Sequence, residues 1–424
     1  MTNSAILSNL VADTRDGDWG KNIKADGYTP CRVIRGADFP SVRLGTLSDV
    51  PVRYLSKTSL DRRTLRPNDI IIETAGGAPG RPTGRTLLVT ERLYKTSDLP
   101  LACASFCRFL RIDPATADPA FVFWYLQSLY ARGEMWEHQV QHTGLARFQY
   151  TRFANTIEIL LPPAPAQHAI ANLLCLLDEK IASSQLMNNT LEEIATAIFK
   201  HWFIDFEFPN EKGNPYKSSG GVMVRNEELQ KEIPRLWEVA TFGKITKLTM
   251  GLSPKGESYN TEGRGVALIN GAADFSDGNI VPKKFTTQPT RICNAGDLLF
   301  CIRGTIGNLT YADKPYCLGR GVAAITPSSN IFEEFDYLIL KQKISHMSSQ
   351  ATGSVIVGLS KPDITNLKIL LPPETIVSKF HAIMENIFTK RELSKVEADN
   401  LTRIRNSLLP KLMLGKIRVP VEVR

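Results

Sequence analysis

Leu160-Leu161-Pro162-Pro163 and Leu370-Leu371-Pro372-Pro373 are the same four residues at an offset of 210, and each opens a long segment without helix breakers. Between Pro165 and Pro209, and again between Pro373 and Pro410, there is neither glycine nor proline. Proline is tolerated at a helix start and costly inside one, so each copy reads as strand, start signal and long helix. The copies align without a gap. Ile170, Leu173, Leu177, Leu191, Ile194 and Ile198 match Phe380, Ile383, Ile387, Leu401, Ile404 and Leu408. Steps of three and four that recur every seven put an apolar seam on one helix face. At about 1.5 Å per residue, roughly 35 residues make a rod of about 50 Å, and its seam must be buried. The economical partner is the other copy, and the polar matches Lys180 with Lys390 and Ser184 with Ser394 extend the likeness.

Outward from these segments, the chain falls into two copies of one plan. Residues 1–160 form a first globular domain and 161–208 the central long helix. Residues 209–232 form a linker, 233–371 a second domain, and 372–424 the second long helix and tail. The linker holds Gly213, Pro215 and Ser218-Ser219-Gly220-Gly221, a composition that marks a boundary. Ile34-Arg35-Gly36-Ala37-Asp38-Phe39 is echoed by Ile269-Asn270-Gly271-Ala272-Ala273-Asp274-Phe275. Asn68-Asp69-Ile70-Ile71 is echoed by Gly296-Asp297-Leu298-Leu299, and Thr143-Gly144 by Thr352-Gly353. Each domain mixes short strands with one or two helices. A fragment from Asn226 onward, one domain and one helix, is expected to pair with a second copy of itself.

The 424 residues suffice for two or three sizeable cores, and 43% hydrophobic with 22% charged is an ordinary globular balance. A net charge of +8 suits a nucleic-acid partner. The seven cysteines form no Cys-x-x-Cys pair and read as buried cytosolic thiols, so the expected compartment is the cytoplasm. No signal peptide or membrane span is expected.

Catalytic patterns fail one by one. Gly319-Arg320-Gly321-Val322-Ala323-Ala324 resembles a dinucleotide loop but precedes a strand instead of opening a helix. Asn214-Pro215-Tyr216 lacks the second proline of a methyltransferase box, and Asp69 with Glu73 lacks the lysine of a nuclease. There is no phosphate-binding Gly-x-x-x-x-Gly-Lys loop, and the six histidines lack metal-ligand spacing. Neither a catalytic residue, a metal site nor a cofactor is assigned. What remains are basic residues on loops: Arg81 and Arg85, then Arg147, Gln149 and Arg152, then Arg303, Thr305 and Arg320. Arginine and glutamine have the donors and acceptors that read guanine and adenine edges, and nearby glycines allow close approach to phosphate. Taken singly, each is as well explained as ordinary surface charge. As a set on duplicated loops they point to DNA.

The chain resembles the specificity subunits of type I restriction–modification systems. The likeness lies in Asp297-Leu298-Leu299-Phe300, Arg303-Gly304-Thr305-Ile306-Gly307, Gly358-Leu359-Ser360-Lys361-Pro362-Asp363-Ile364 and Leu408-Leu409-Pro410-Lys411-Leu412-Met413-Leu414-Gly415-Lys416-Ile417. Ile233-Pro234 with Trp237-Glu238-Val239 adds to it. The resemblance implies an α+β fold. It comprises two α/β target-recognition domains in tandem, joined and spaced by two long antiparallel coiled-coil helices with an internal pseudo-two-fold repeat. It further implies a non-catalytic subunit that reads a bipartite site in double-stranded DNA. Two DNA methyltransferase (modification) subunits and ATP-dependent restriction subunits would be its partners. Phe199, Trp202 and Phe203 at the far end of the first helix, with Leu408, Leu409 and Leu412 on the second, are expected to dock a modification subunit. The competing readings are a stand-alone DNA methyltransferase or nuclease, and a coiled-coil adaptor that does not bind DNA.

Overall fold

The computed structural model describes residues 3–77, 81–142, 145–276, 278–304, 306–350 and 358–420. The chain divides into two compact units, Met1–Asn189 with Glu392–Arg424, and Thr190–Arg391.

In the first unit, an antiparallel sheet runs in the order Val11–Asp16, Cys107–Ile112, Ile70–Glu73, Thr86–Leu88. Ile70, Ile71 and Ile72 are all fully buried. Ile70 and Ile72 join the core beneath the helix Pro119–Ala131, while Ile71 joins a second core with Leu87 and Phe109. Side chains alternate across a strand, so a strand covered on both faces needs an unbroken apolar run. A smaller sheet places Tyr28–Ile34 between Val52–Ser56 and the parallel strand Leu101–Cys103.

The second unit repeats this plan. Its sheet runs Thr246–Met250, Val322–Pro327, Leu298–Cys301, Gly307–Tyr311, and Val266–Ile269 lies parallel to Tyr316–Leu318. Leu298 and Phe300 face one core and Leu299 the other.

The echoes noticed in the sequence are turn chemistry. Asp69 accepts the Arg66 N–H at 2.7 Å, and Asp297 accepts the Asn294 N–H at 2.7 Å. Asn68 and Gly296 before them are left-handed, at φ 69° and 87°, which asparagine and glycine adopt most easily. Asp38 and Asp274 clamp the Arg35 and Asn270 N–H groups at 2.8 and 2.7 Å. Thr143, Gly144, Thr352 and Gly353 lie outside the described residues.

Each domain closes on a two-stranded ribbon, Asn3–Ile6 with Glu158–Leu161 and Glu238–Thr241 with Lys368–Leu371. The Leu-Leu-Pro-Pro stretch then starts the helix. The Pro163 carbonyl accepts the Ala166 and Gln167 N–H groups, and the Pro373 carbonyl those of Ile376 and Val377. The first long helix spans Ala164–Phe199 and ends in a π-turn, Lys200–Ile204; the second spans Glu374–Met413. Pro410 lies inside the second helix, in a last turn held by the buried Leu409, Leu412 and Met413.

Within each unit the two helices pack antiparallel. In the first, Ser184 donates to Glu397 at 2.8 Å and Asp178 pairs with Arg405. In the second, Glu192 pairs with Arg391 at 2.7 Å and Phe203 meets Phe380 at 4.8 Å. The seam differs in part from the sequence reading. Leu177, Leu191, Ile198, Ile387, Leu401 and Leu408 are half-buried, as is Leu173, and Phe380 is fully buried. Ile194, Ile383 and Ile404, however, are 41%, 42% and 47% exposed. Beside them, Leu174, Ala195 and Met384 are buried, together with Ser184, Ser394 and Ala398. The seam steps past the larger aliphatic residues onto small and polar ones.

A second correction concerns Trp202 and Phe203. Both are buried, packed on Phe380 at 5.6 and 4.8 Å and, for Phe203, on Phe335 at 4.9 Å. They are core of the second unit, because Trp237, Phe335 and Phe380 offer more aromatic surface than the helix alone. They are not a docking surface.

Candidate nucleic-acid interface

In the first unit, the ends of three strands meet the short helix Tyr150–Thr156. Asp16, Thr74, Arg108, Phe148, Gln149, Tyr150, Thr151 and Arg152 line an open polar cleft there. Arg108 pairs with Asp16 at 2.7 Å and lies over the Tyr150 ring at 4.7 Å. Gln149 and Arg152 are exposed, with Arg152 donating to Gln149 at 3.4 Å. The exposed Arg147 sits on the neighbouring strand opposite Ala75. Three of the residues picked from sequence are thus brought together, and Arg81 is also exposed.

Arg85 is a correction. It forms a buried two-point ion pair with Glu73, at 2.7 and 2.9 Å, and donates to the Gly36 carbonyl at 2.7 Å. Its donors are committed inside the fold, so it offers nothing to DNA.

The second unit carries the matching corner. Arg303 follows the strand Leu298–Cys301, and Arg320 sits in the turn before Val322–Pro327. The Ile302 N–H donates to the Gly321 carbonyl at 2.9 Å, which sets the two segments side by side, and both arginines are exposed. In the first unit, the Thr74 N–H donates to the Phe106 carbonyl at 2.8 Å by the same plan. Ala75 and Phe106 therefore stand where Arg303 and Gly321 stand in the second unit. Thr305 lies outside the described residues.

Sequence reading grouped Tyr150 with Arg147, Gln149 and Arg152 but passed over Arg108 and Phe106. For Arg108 the available signal was alternation in Cys107-Arg108-Phe109-Leu110-Arg111; for Phe106 there was none. The cysteines are buried or half-buried, and burial pushes the Cys31 and Cys293 thiols up to about 11. Among the described residues no group of three or more His, Cys, Asp or Glu is placed to hold a metal ion, and no helix is long and apolar enough to cross a membrane.

These features define a duplicated protein in which each half carries a two-sheet domain and part of a long helix pair. Residues 234–403 match the family model described as type I restriction modification DNA specificity domain. The specificity subunit of the type I restriction enzyme MjaIX from Methanocaldococcus jannaschii is 27% identical over 95% of this chain and 94% of its own. The putative MjaX specificity subunit from the same organism is 30% identical over 62% of this chain and 60% of its own. A crystal structure of the type I system S subunit from M. genitalium shares the fold, with a TM-score of 0.58 at 20% identity, covering 97% of this chain and 96% of that one. Residues 234–403 are thus similar to the type I restriction modification DNA specificity domain, and nearly the whole chain is similar to a type I specificity subunit.

Proposed function

We propose that the chain is the non-catalytic DNA-reading subunit of a type I complex, with each unit reading one half of a bipartite site. The observation that carries this is the repeated corner. Two equivalent sets of strand ends present Arg147, Gln149 and Arg152 in one unit and Arg303 and Arg320 in the other. Such side chains supply both phosphate contacts and base-edge contacts. Two modification subunits would perform methyl transfer, and restriction subunits would supply ATP-driven cleavage.

Partner docking moves from Trp202 and Phe203 to apolar residues that the helices leave in solvent. Leu176, Met187, Leu393 and Ile404 are exposed in the first unit, and Ile194, Ile204 and Ile383 in the second. Exposed apolar residues gathered along paired helices suit a protein partner.

The test is methylation mapping of the chain assembled with a modification subunit. Arg303→Ala and Arg320→Ala should weaken or relax the half-site read by the second unit, by about 1–3 kcal/mol per lost base contact. Gln149→Ala and Arg152→Ala should act on the other half alone. Methyl transfer by the purified chain without partners would favour the stand-alone enzyme. Failure of the assembled complex to bind DNA would favour the adaptor.

A further inference from the structure

We propose that Phe106 is a wedge that stacks on a DNA base at an opened step of the half-site read by the first unit. The inference rests on the DNA-reading function above and adds a specific contact, confined to one half. Phe106 is 58% exposed at the tip of the turn between Leu101–Cys103 and Cys107–Ile112. Single exposed apolar residues are common on protein surfaces, so exposure alone carries nothing. Three further observations single this one out.

The turn is rigid. The Cys107 N–H donates to Ala104 at 2.8 Å, and the Thr74 and Ala75 N–H groups both donate to the Phe106 carbonyl, at 2.8 and 3.3 Å. Alongside, the Gly17 N–H donates to Cys107 at 2.8 Å and the Asp18 N–H to Cys103 at 2.9 Å. A Cβ on Gly17 would come within 2.2 Å of the Cys103 and Ala104 carbonyl oxygens, so only glycine lets these strands close up behind the ring. A turn whose backbone is held in this way loses little chain freedom on binding.

The surroundings are those of a nucleic-acid contact. Thr74 lines the cleft with Arg108, Gln149, Tyr150 and Arg152, and Ala75 pairs with Arg147. The nearby Trp19 ring already has the Arg53 guanidinium over it at 4.3 Å. Phe106 has no ring or cation partner among the described residues.

The second unit holds the same turn without the ring. There the Val322 N–H donates to Gly319, and Arg320-Gly321 replaces Ser105-Phe106. A flat apolar face beside arginines suits an unstacked base, since inserted apolar side chains partly unstack base steps and base–aromatic stacking is sequence-tolerant. The second half-site should therefore stay stacked at the corresponding step.

The test uses the full chain assembled with modification subunits on a duplex carrying its mapped target. 2-Aminopurine replaces each adenine in turn, and permanganate reports each thymine. The expected result is one position in the first half-site with several-fold higher signal, kept in Phe106→Tyr and lost in Phe106→Ala. Affinity of Phe106→Ala should fall roughly tenfold with unchanged thermal stability. A base flipped by the modification subunits would still signal in Phe106→Ala and would be recognised by that. An unaltered signal pattern in Phe106→Ala overturns the proposal while leaving the DNA-reading function standing. So does a loss of subunit assembly with the pattern intact, which would make Phe106 a protein contact. If the wild-type complex does not bind DNA, both readings fall.

Discussion

Asp336 is 1% exposed on the helix Glu333–Gln350, and neither carboxyl oxygen has a hydrogen-bond partner among the described residues. Burial pushes its carboxyl up to about 9 from an ordinary 3.8. The folded state therefore holds this proton more tightly than the unfolded chain does. Its stabilising effect is full below about pH 4, declines as pH rises, and is lost once the pH passes about 9. Asp336→Asn removes the titration and keeps the shape. The variant should match the wild type at pH 4 and exceed its Tm by about 5 °C or more at pH 8, measured by calorimetry. Equal melting at both pH values would mean that the carboxyl is solvated. Arg85 belongs at this scale too. Its deletion leaves Glu73 charged and buried, which costs about 3 kcal/mol or more, without altering the methylated sequence.

At the scale of elements, the helix pair is held by acids that each serve several partners. Asp178 binds Arg43 of the first domain at 2.8 and 2.9 Å and also pairs with Arg405 of the second helix. Glu192 accepts from Tyr337 at 2.9 Å, pairs with Arg391 at 2.7 Å and with Lys341. Arg405 and Arg391 stand at seam positions where the first helix has Ala195 and Ile181. The seams are thus not interchangeable. Asp178→Ala strands two guanidinium groups and should cost about 3 kcal/mol, more than Arg405→Leu, which leaves Asp178 paired with Arg43. Urea melts of both variants check the order. Two copies of the second helix, self-paired, would set Arg391 and Arg405 opposite Thr402 and Phe388 instead of Glu192 and Asp178, so they should not associate stably.

At the scale of the whole molecule, the folding units do not follow the repeat as it is written in the chain. The core of the second unit takes Ala195, Phe199, Trp202, Phe203, Phe206 and Phe208 from residues that precede Asn226. A fragment beginning at Asn226 loses these and leaves Trp237, Phe335 and Phe380 uncovered. Residues 190–391 should give a soluble product with a cooperative melt and a near-ultraviolet aromatic signal, whereas 226–391 should give neither. A cooperative melt from the shorter fragment would show that the aromatic cluster is dispensable.

The sequence by itself determined the duplication, the two helices and the turn chemistry, because these depend on residues close together in the chain. Pro163 and Pro373 act on the next helical turn, and Asp69 and Asp297 on N–H groups three residues back. The fully apolar run Ile70-Ile71-Ile72 likewise declares a strand covered on both faces. Arg303, Arg320 and Gln149 were legible as loop residues, whereas Arg152, also read as one, lies on the helix Tyr150–Thr156, and the grouping of these residues into one corner per unit was not legible. That grouping comes from strand pairings between segments far apart in sequence, such as Thr74 with Phe106 and Ile302 with Gly321. Tertiary structure alone decided which arginine is spent inside, as Arg85 is on Glu73. It also decided the seam. An aliphatic periodicity selects the largest apolar residues, whereas close-packed helices select what fits, so Ala195 and Ser184 are buried and Ile194 and Ile404 are left in solvent.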